Sequence, residues 1–224
     1  VMFLISEPLR NLGKYTFSDV VAFRLNPRPI KAAAAIGWKV DDALKYGNGV
    51  GKPLGWMNSA ALVTVAKESG QAANSVVVKN IVKMFSRMLG DSIGRAHWSI
   101  NSDVLPELMT MTVDGNLIWT PPASGITNAP GGLLLGRPIR FSEHCKTLGT
   151  VGDIQLVDPK GYYALTKAGG GIKFASSIHL YFDYGLQAFR WTIRLGGQPH
   201  LAAPVSPANG STTKSHFVAL ATRA

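Results

Sequence analysis

Helical periodicity dominates this chain up to residue 90 and strand alternation dominates it from about residue 115, and that segregation limits the fold more than any other feature. The run PRPIKAAAAIGWKVDDALKY, residues 27–46, predicts a helix. Pro27 and Pro29 suit its first turn, where an amide has no partner to lose. Ala32, Ala33, Ile36, Val40, Ala43 and Leu44 form one apolar stripe, with the lysines and Asp41 and Asp42 elsewhere, and Gly47 ends it. The preceding TFSDVVAFRL predicts another helical stretch, broken by the prolines. After a mixed segment at 60–74, SVVVKNIVKMFSRML (75–89) predicts a second helix on the stripe Val78, Ile81, Val82, Phe85, Met88 and Leu89, closed by Gly90. A short strand, AHWSI, and a helix capped by Ser102 or Asp103 and running through LPELMTM follow.

From there the texture turns to glycine, proline and alternation. LLLGRPIRFSEH predicts strand, turn and strand. IQLVD, YYALTK, IKFASSIHLYFD and AFRWTIRL are successive strands with turn residues between them. The glycines of KAGGGIK supply a tight reversal. QPHLAAPVSPANGSTTKS predicts a polar, Pro-rich loop and HFVALATR a final strand. Early helices and late antiparallel strands define an α+β protein, with no internal repeat.

At 224 residues the chain can bury one large core or two small ones. Its apolar runs, such as AAAAIGW and GGLLLG, fall far short of the roughly 20 residues of a spanning helix, so no membrane partner is expected. The opening VMFLIS carries no basic leader, no cleavage signal and no initiating Met, and a segment removed or absent upstream is expected. The single cysteine, Cys145, excludes a disulfide framework and a multi-cysteine zinc site. A net charge of +10 favours polyanions through long-range attraction. The basic residues are scattered, which suits a broad face near nucleic acid better than a sequence-reading site. Only 16% of residues are charged, against about a quarter in a lone soluble protein, and 24 are glycine. A surface so poor in charge suits burial against other copies.

GNGVGKPLGWMNS, residues 47–59, has the look of a phosphate cradle and fails as one. G-x-x-x-x-G-K-[ST] needs four residues between its glycines and a hydroxyl after the lysine, but three separate Gly47 from Gly51 and Pro53 stands at the hydroxyl position. G-x-G-x-x-G needs a strand before it and a helix after it, and here a helix precedes. The glycines therefore cap a helix and turn the chain. Glu143, His144 and Cys145 are adjacent, yet strand neighbours diverge, so a buried structural cysteine is expected rather than a nucleophile with its base. His97, His144, His179, His200 and His216 make no metal-ligand spacing. Asp41 and Asp42 are helix neighbours and cannot face each other as an acid–base pair. Asn209-Gly-Ser fits a glycosylation acceptor, a pattern common by chance. Tyr162, Tyr163, Tyr181, Phe182, Tyr184, Phe189 and Trp191, with Lys173 and Arg190, could stack single-stranded nucleic acid, but sheet packing and subunit contact are commoner uses. No catalytic, cofactor-binding or metal residue is expected, and neither is a cofactor or an enzymatic activity.

The order of segments resembles that of tailed-bacteriophage major capsid proteins. DDALKYGNGVGKPLGWMNS is similar to their "helix, then G-x-G-x-x-x-P-x-G" passage and RAHWSINSDVLPEL to their "W-x-x-N, then helix" segment. GGLLLGRPIRFSEHC resembles their "L-x-G-x-P" strand pair. GDIQLVDPKGYYALTKAGGGIKFASSIH resembles their "G-D, strand, Y, glycine-rich hairpin" segment, and FRWTIRLGGQPHLAAPVSPANGSTTKSHFVAL their closing strand, turn and terminal strand. The likeness spans nearly the whole chain.

That resemblance implies the Hong-Kong-ninety-seven-like shell fold. A peripheral domain would take residues 1–46, with the long spine helix, and the strands of 154–197. An axial α/β domain would take 47–153, and 198–224 would return to it. The implied function is a structural protein self-assembling into pentamers and hexamers of an icosahedral phage head around double-stranded DNA. The implied partners are further copies, packaged DNA without sequence preference, and portal, scaffolding and decoration proteins. The implied location is the virion capsid, assembled in a bacterial host's cytoplasm. The family's N-terminal arm and extended loop have no counterpart in this sequence. The covalent crosslink of some members needs an asparagine and a carboxylate on the last peripheral strand, and QAFRWTIRLGG has neither, so none is expected. The alternatives are an encapsulin-type nanocompartment shell around protein cargo and, from another class, a nucleic-acid-binding module or enzyme on an α+β scaffold.

Overall fold

The computed structural model describes residues 27–113, 116–117, 119–120, 132–167, 171–177, 179, 183 and 188–223. The expected helix at TFSDVVAFRL and the aromatics Tyr181, Phe182 and Tyr184 lie outside them. Helix α1 runs Pro27–Tyr46, the span its prolines and Gly47 predict. Strand β1 (Val63–Val65), helix α2 (Val78–Ser86), the single turn α3 (Gly90–Ile93), β2 (His97–Ile100) and α4 (Leu105–Met109) follow. The short strands β3 (Thr112–Val113), β4 (Asn116–Leu117), β5 (Trp119–Thr120) and β6 (Leu133–Leu134) lead to β7 (Arg137–Phe141) and β8 (Ile154–Val157). The chain continues with β9 (Tyr162–Thr166), β10 (Lys173–Ser177), β11 (Ala188–Thr192), β12 (Leu195–Pro199) and β13 (Phe217–Leu220).

Seven strands form one sheet in the order β1-β13-β8-β2-β7-β6-β5. Two of its pairs, β1 with β13 and β2 with β7, are parallel, so the sheet is mixed. Parallel pairing needs a crossover, and here it joins strands of the helical half to strands of the late half, which no local alternation reports. Between β6 and β7, Leu135 (φ 49°) and Gly136 (φ 72°) make the left-handed two-residue turn of a tight hairpin.

One face of the sheet carries a row of cross-strand neighbours: Val63 opposite Val218, Val218 opposite Leu156, Leu156 opposite Trp98, and Trp98 opposite Ile139. All five are buried, and Ile81 and Met84 of α2 belong to the same core. The phase of α2 differs from the expected stripe. Val82 is 49% exposed while Asn80 is buried, its side chain accepting from the Val77 amide at the helix start. The helix also stops at Ser86, short of Gly90. The chain leaves it because Met88 bridges Ser215 and the Leu89 amide donates to the Ser215 carbonyl. Likewise α4 follows a 3-10 turn, Ser102–Val104, capped by Asn101, whose side chain accepts from the Asp103 amide.

The chain divides into two compact units, residues 42–166 with 195–224, and the described residues of 1–41 with 167–194. The larger unit takes in residues 154–166 and 195–197, which the sequence places with the spine helix. The reason is hydrogen bonding: β8 sits between β13 and β2, and β9 and β12 pair with each other. The Leu54 amide donates to the Gly197 carbonyl of β12, and the Tyr162 hydroxyl of β9 to the Leu54 carbonyl. The smaller unit keeps the hairpin β10–β11. Residues 168–170 of the expected reversal KAGGGIK lie outside the described residues; the strands on either side pair as β10 with β11 and β9 with β12.

Candidate functional site

The glycine loop after α1 is a structural hub. The Gly47 amide closes the helix on the Ala43 carbonyl (2.9 Å), and the Gly55 amide returns to the Gly47 carbonyl (2.9 Å). A Cβ at Gly47 would lie 2.0 Å from the Pro53 carbonyl oxygen, and one at Gly55 would lie 2.4 Å from that of Lys45. Here glycine is required by backbone approach. Trp56 then stacks on Phe217 and donates its indole N–H to Gln155 at 3.0 Å. The amides of Gly47, Gly49 and Gly55, the Trp56 indole and the Asn58 amide group are spent on the protein's own backbone and sheet.

Ser92, His216 and Asp158 come together although no sequence pattern announces them. His216 Nδ1 lies 2.7 Å from Ser92 Oγ and 4.0 Å from the Asp158 carboxylate. A nucleophilic triad needs serine on one ring nitrogen and the carboxylate on the other, so that a proton crosses the ring. Both partners here face Nδ1, and Ser92 is fully buried. The cluster instead ties α3 to β8 and β13. Arg95 adds an ion pair to Asp158 at 3.0 Å.

Cys145 lies in a turn beyond β7, and it is buried as the sequence anticipates. Its surroundings were illegible from sequence. Lys45, which the sequence places off the apolar stripe of α1, is buried and donates to Ser99 Oγ (3.1 Å) and Ser142 Oγ (2.6 Å), with Cys145 Sγ at 3.7 Å. Gln155 and Tyr46 complete this polar layer on the second face of the sheet, and burial pushes the Tyr46 hydroxyl up. The remaining residues singled out form no joint site. Asp41 and Asp42 are exposed, Asp42 lying 4.0 Å from His144, and Asn209 and His179 are exposed. His200 packs edge-on against Tyr163. Among the described residues no group of acidic, histidine or cysteine side chains is placed to hold a metal, and no helix is long and apolar enough to cross a membrane.

Two partly buried histidines, His97 and His216, give the fold a pH dependence. Burial, reinforced by Arg140 and Lys45, lowers His97 from 6.5 to about 4, and burial likewise lowers His216. Asp158 is pushed up by burial but further down by its bonds to Ser92, Lys160 and Arg95, and ends below its usual range. Each folded pKa is depressed, so the unfolded chain takes up protons first as the pH falls. Stability is therefore full above about pH 6.5 and declines towards pH 4 and below. Urea midpoints between pH 7.5 and pH 4 should fall steadily, and a flat profile would contradict these environments.

The hairpin β10–β11 presents two unlike faces. Phe174 is directly opposite Trp191, with Phe189 two residues along the same side. Their ring centroids lie 5.5–6.1 Å apart. Phe174 is 58% exposed and Phe189 44%. Alternation puts Lys173, Thr192 and Arg190 on the other face. On this hairpin, therefore, Phe189 and Trp191 do not share a face with Lys173 and Arg190.

The exposed aromatic face of β10–β11 is suited to contact with another surface. The model of the phage capsid family matches residues 30–210, and the chain belongs to that family. It is a capsid shell protein, not an enzyme. Two solved structures are similar: the capsid of a native GTA particle computed with C5 symmetry (17% identity over 96% of this chain and 69% of that one, TM-score 0.59) and the capsid of an empty GTA particle computed with C5 symmetry (17%, 96% and 70%, 0.58). At that identity the likeness establishes the fold, the Hong-Kong-ninety-seven-like arrangement of helix and mixed sheet.

Proposed function

We propose that this shell protein tiles with copies of itself into pentamers and hexamers of an icosahedral head around double-stranded DNA. The observation that carries the tiling is the aromatic face of β10–β11, where Phe174 and Phe189 stand in water in the isolated chain. Exposed aromatic clusters mark interaction surfaces, and Trp, Tyr and Phe concentrate in interface cores. Val50 (78%) and Leu165 (71%) are further apolar side chains left to solvent. In this reading the smaller unit is the peripheral domain and the larger the axial one, and the protein resides in the virion. The +10 charge supports DNA as the content. Binding would be weak per subunit, indifferent to sequence and steeply salt-dependent.

Negative-stain microscopy of the full-length product tests the proposal. Uniform hollow shells are the expected result. A monomer at every concentration, salt and crowding condition would refute tiling, and a gel-shift preference for one DNA sequence would refute the non-specific role.

A further inference from the structure

The face of β10–β11 opposite the aromatics borders a concavity of about 150 Å³ lined by Lys167, Gly171, Lys173, Thr192 and Arg194. That is far more than the roughly 10–15 Å³ one water needs. Lys173 and Thr192 are a directly opposed pair, so their side chains leave the hairpin on one side. Lys167 is held beside Arg194 by its amide, which donates to the Arg194 carbonyl at 3.5 Å. Three cations therefore converge on one hollow. Among the described residues none of them has a carboxylate within ion-pair distance, whereas Lys83, Arg95 and Arg223 each have one. Uncompensated like charges repel, and the repulsion is relieved when an anion occupies the space between them.

We propose that this hollow is a phosphoryl-anion site, in which Lys167, Lys173 and Arg194 supply charge and the Thr192 hydroxyl a fourth donor. Donors from separate chain positions suit a tetrahedral oxyanion, with oxygens pointing several ways. A planar carboxylate has two oxygens and one charge, and Arg194 alone could satisfy it. The hollow is open and every residue lining it is exposed, so it can take a phosphoryl group on a larger chain as well as a free ion. The phosphate has two sources, the backbone of enclosed DNA or inorganic phosphate. The first rests on the proposed DNA-enclosing function and the second does not.

The test titrates the full-length product with inorganic phosphate by calorimetry, and separately with a mixed-sequence DNA duplex across a salt series. The double variant Lys173→Gln/Arg194→Gln should weaken phosphate binding about tenfold or more, since each lost donor is a charge-assisted one. It should also flatten the duplex salt slope by about 0.9 for each cation removed. Lys79→Gln, an exposed lysine on α2, should change neither. Thr192→Val keeps shape and charge, and should weaken phosphate several-fold while sparing the salt slope. Loss with duplex alone assigns the site to the DNA backbone, and loss with phosphate alone assigns it to the free ion. Two outcomes overturn the proposal. In one, the double variant behaves like Lys79→Gln with both probes. In the other, it binds both normally but no longer forms shells, which would give the hollow to a carboxylate of a neighbouring copy. Microscopy of the same samples keeps a failed site distinct from a failed capsid assignment.

Discussion

Asp153→Ala should lower the unfolding free energy by about 3–5 kcal/mol, among the largest losses any single substitution in this chain can produce, because it strands the Arg223 guanidinium in the interior. Both side chains are fully buried and paired. Their remaining valences are also satisfied: Asp153 accepts from the amides of Gly149 (3.0 Å) and Ile154 (2.7 Å), and Arg223 donates from Nε to the Ser75 carbonyl (2.7 Å). Backbone bonds from Arg223 to Gly149 and from Asn74 to Arg223 complete a knot of three segments distant in sequence. An unpaired buried charge has neither water nor partner, so removing one member costs far more than the pair is worth. For a chain of this size the loss corresponds to roughly 6–20 °C in melting temperature. Arg223→Met should cost a similar amount. The double variant Asp153→Leu/Arg223→Met should recover much of it, because an apolar pair of similar volume needs no compensation. Thermal and urea unfolding of the four proteins measures the two losses and the recovery. A loss below about 1 kcal/mol in Asp153→Ala would show that water reaches Arg223.

The same pair shows where the sequence stops being informative. Helix α1 was legible to the residue because its boundaries are local chemistry, two prolines at one end and Gly47 at the other. The strands β7, β8, β9 and β11 were legible for a similar reason, since alternation and turn residues are neighbours in sequence, whereas β10 stops at Ser177 and His179 and Asp183 of the expected strand IKFASSIHLYFD lie in 3-10 turns. What failed depended on partners far along the chain. Helix α2 ends early because Met88 pairs with Ser215. Strand β12 runs into Gln198 and Pro199, which the sequence reads as the start of a polar, Pro-rich loop, and Gly197 within it admits the Tyr162 ring, which would lie 2.7 Å from a Cβ. Lys45, Ser99, Gln155, Asp153, Asp158 and Arg223 are polar residues whose burial no hydropathy pattern predicts, each tolerated only because the fold delivers its partner. The hairpin's aromatic and basic residues were all visible in sequence. Their separation onto opposite faces was not, because it requires the register Phe174 to Trp191.

The second large effect comes from the middle of the sheet. Trp98→Ala should cost about 3–5 kcal/mol, the range for deleting a large aromatic from a packed core. Trp98 is fully buried on β2, flanked by Leu156 on β8 and Ile139 on β7, so its loss opens a cavity in the central row rather than at a rim that could collapse. Its indole N–H also donates to the Leu134 carbonyl at 2.9 Å, which anchors β6. Trp98→Phe separates the two contributions. It keeps most of the ring and abandons the carbonyl, at about 1–3 kcal/mol. Phe174→Ser on the hairpin is the informative comparison. Phe174 is 58% exposed, so serine there should leave the unfolding free energy of the isolated chain within about 1 kcal/mol. Shell formation should fail all the same, because the water-facing ring stack is what a neighbouring copy would cover. Unfolding curves and micrographs of both variants therefore give opposite patterns: Trp98→Ala loses stability first and assembly as a consequence, and Phe174→Ser loses assembly alone. If Phe174→Ser builds normal shells, the aromatic face is not the contact that tiles them.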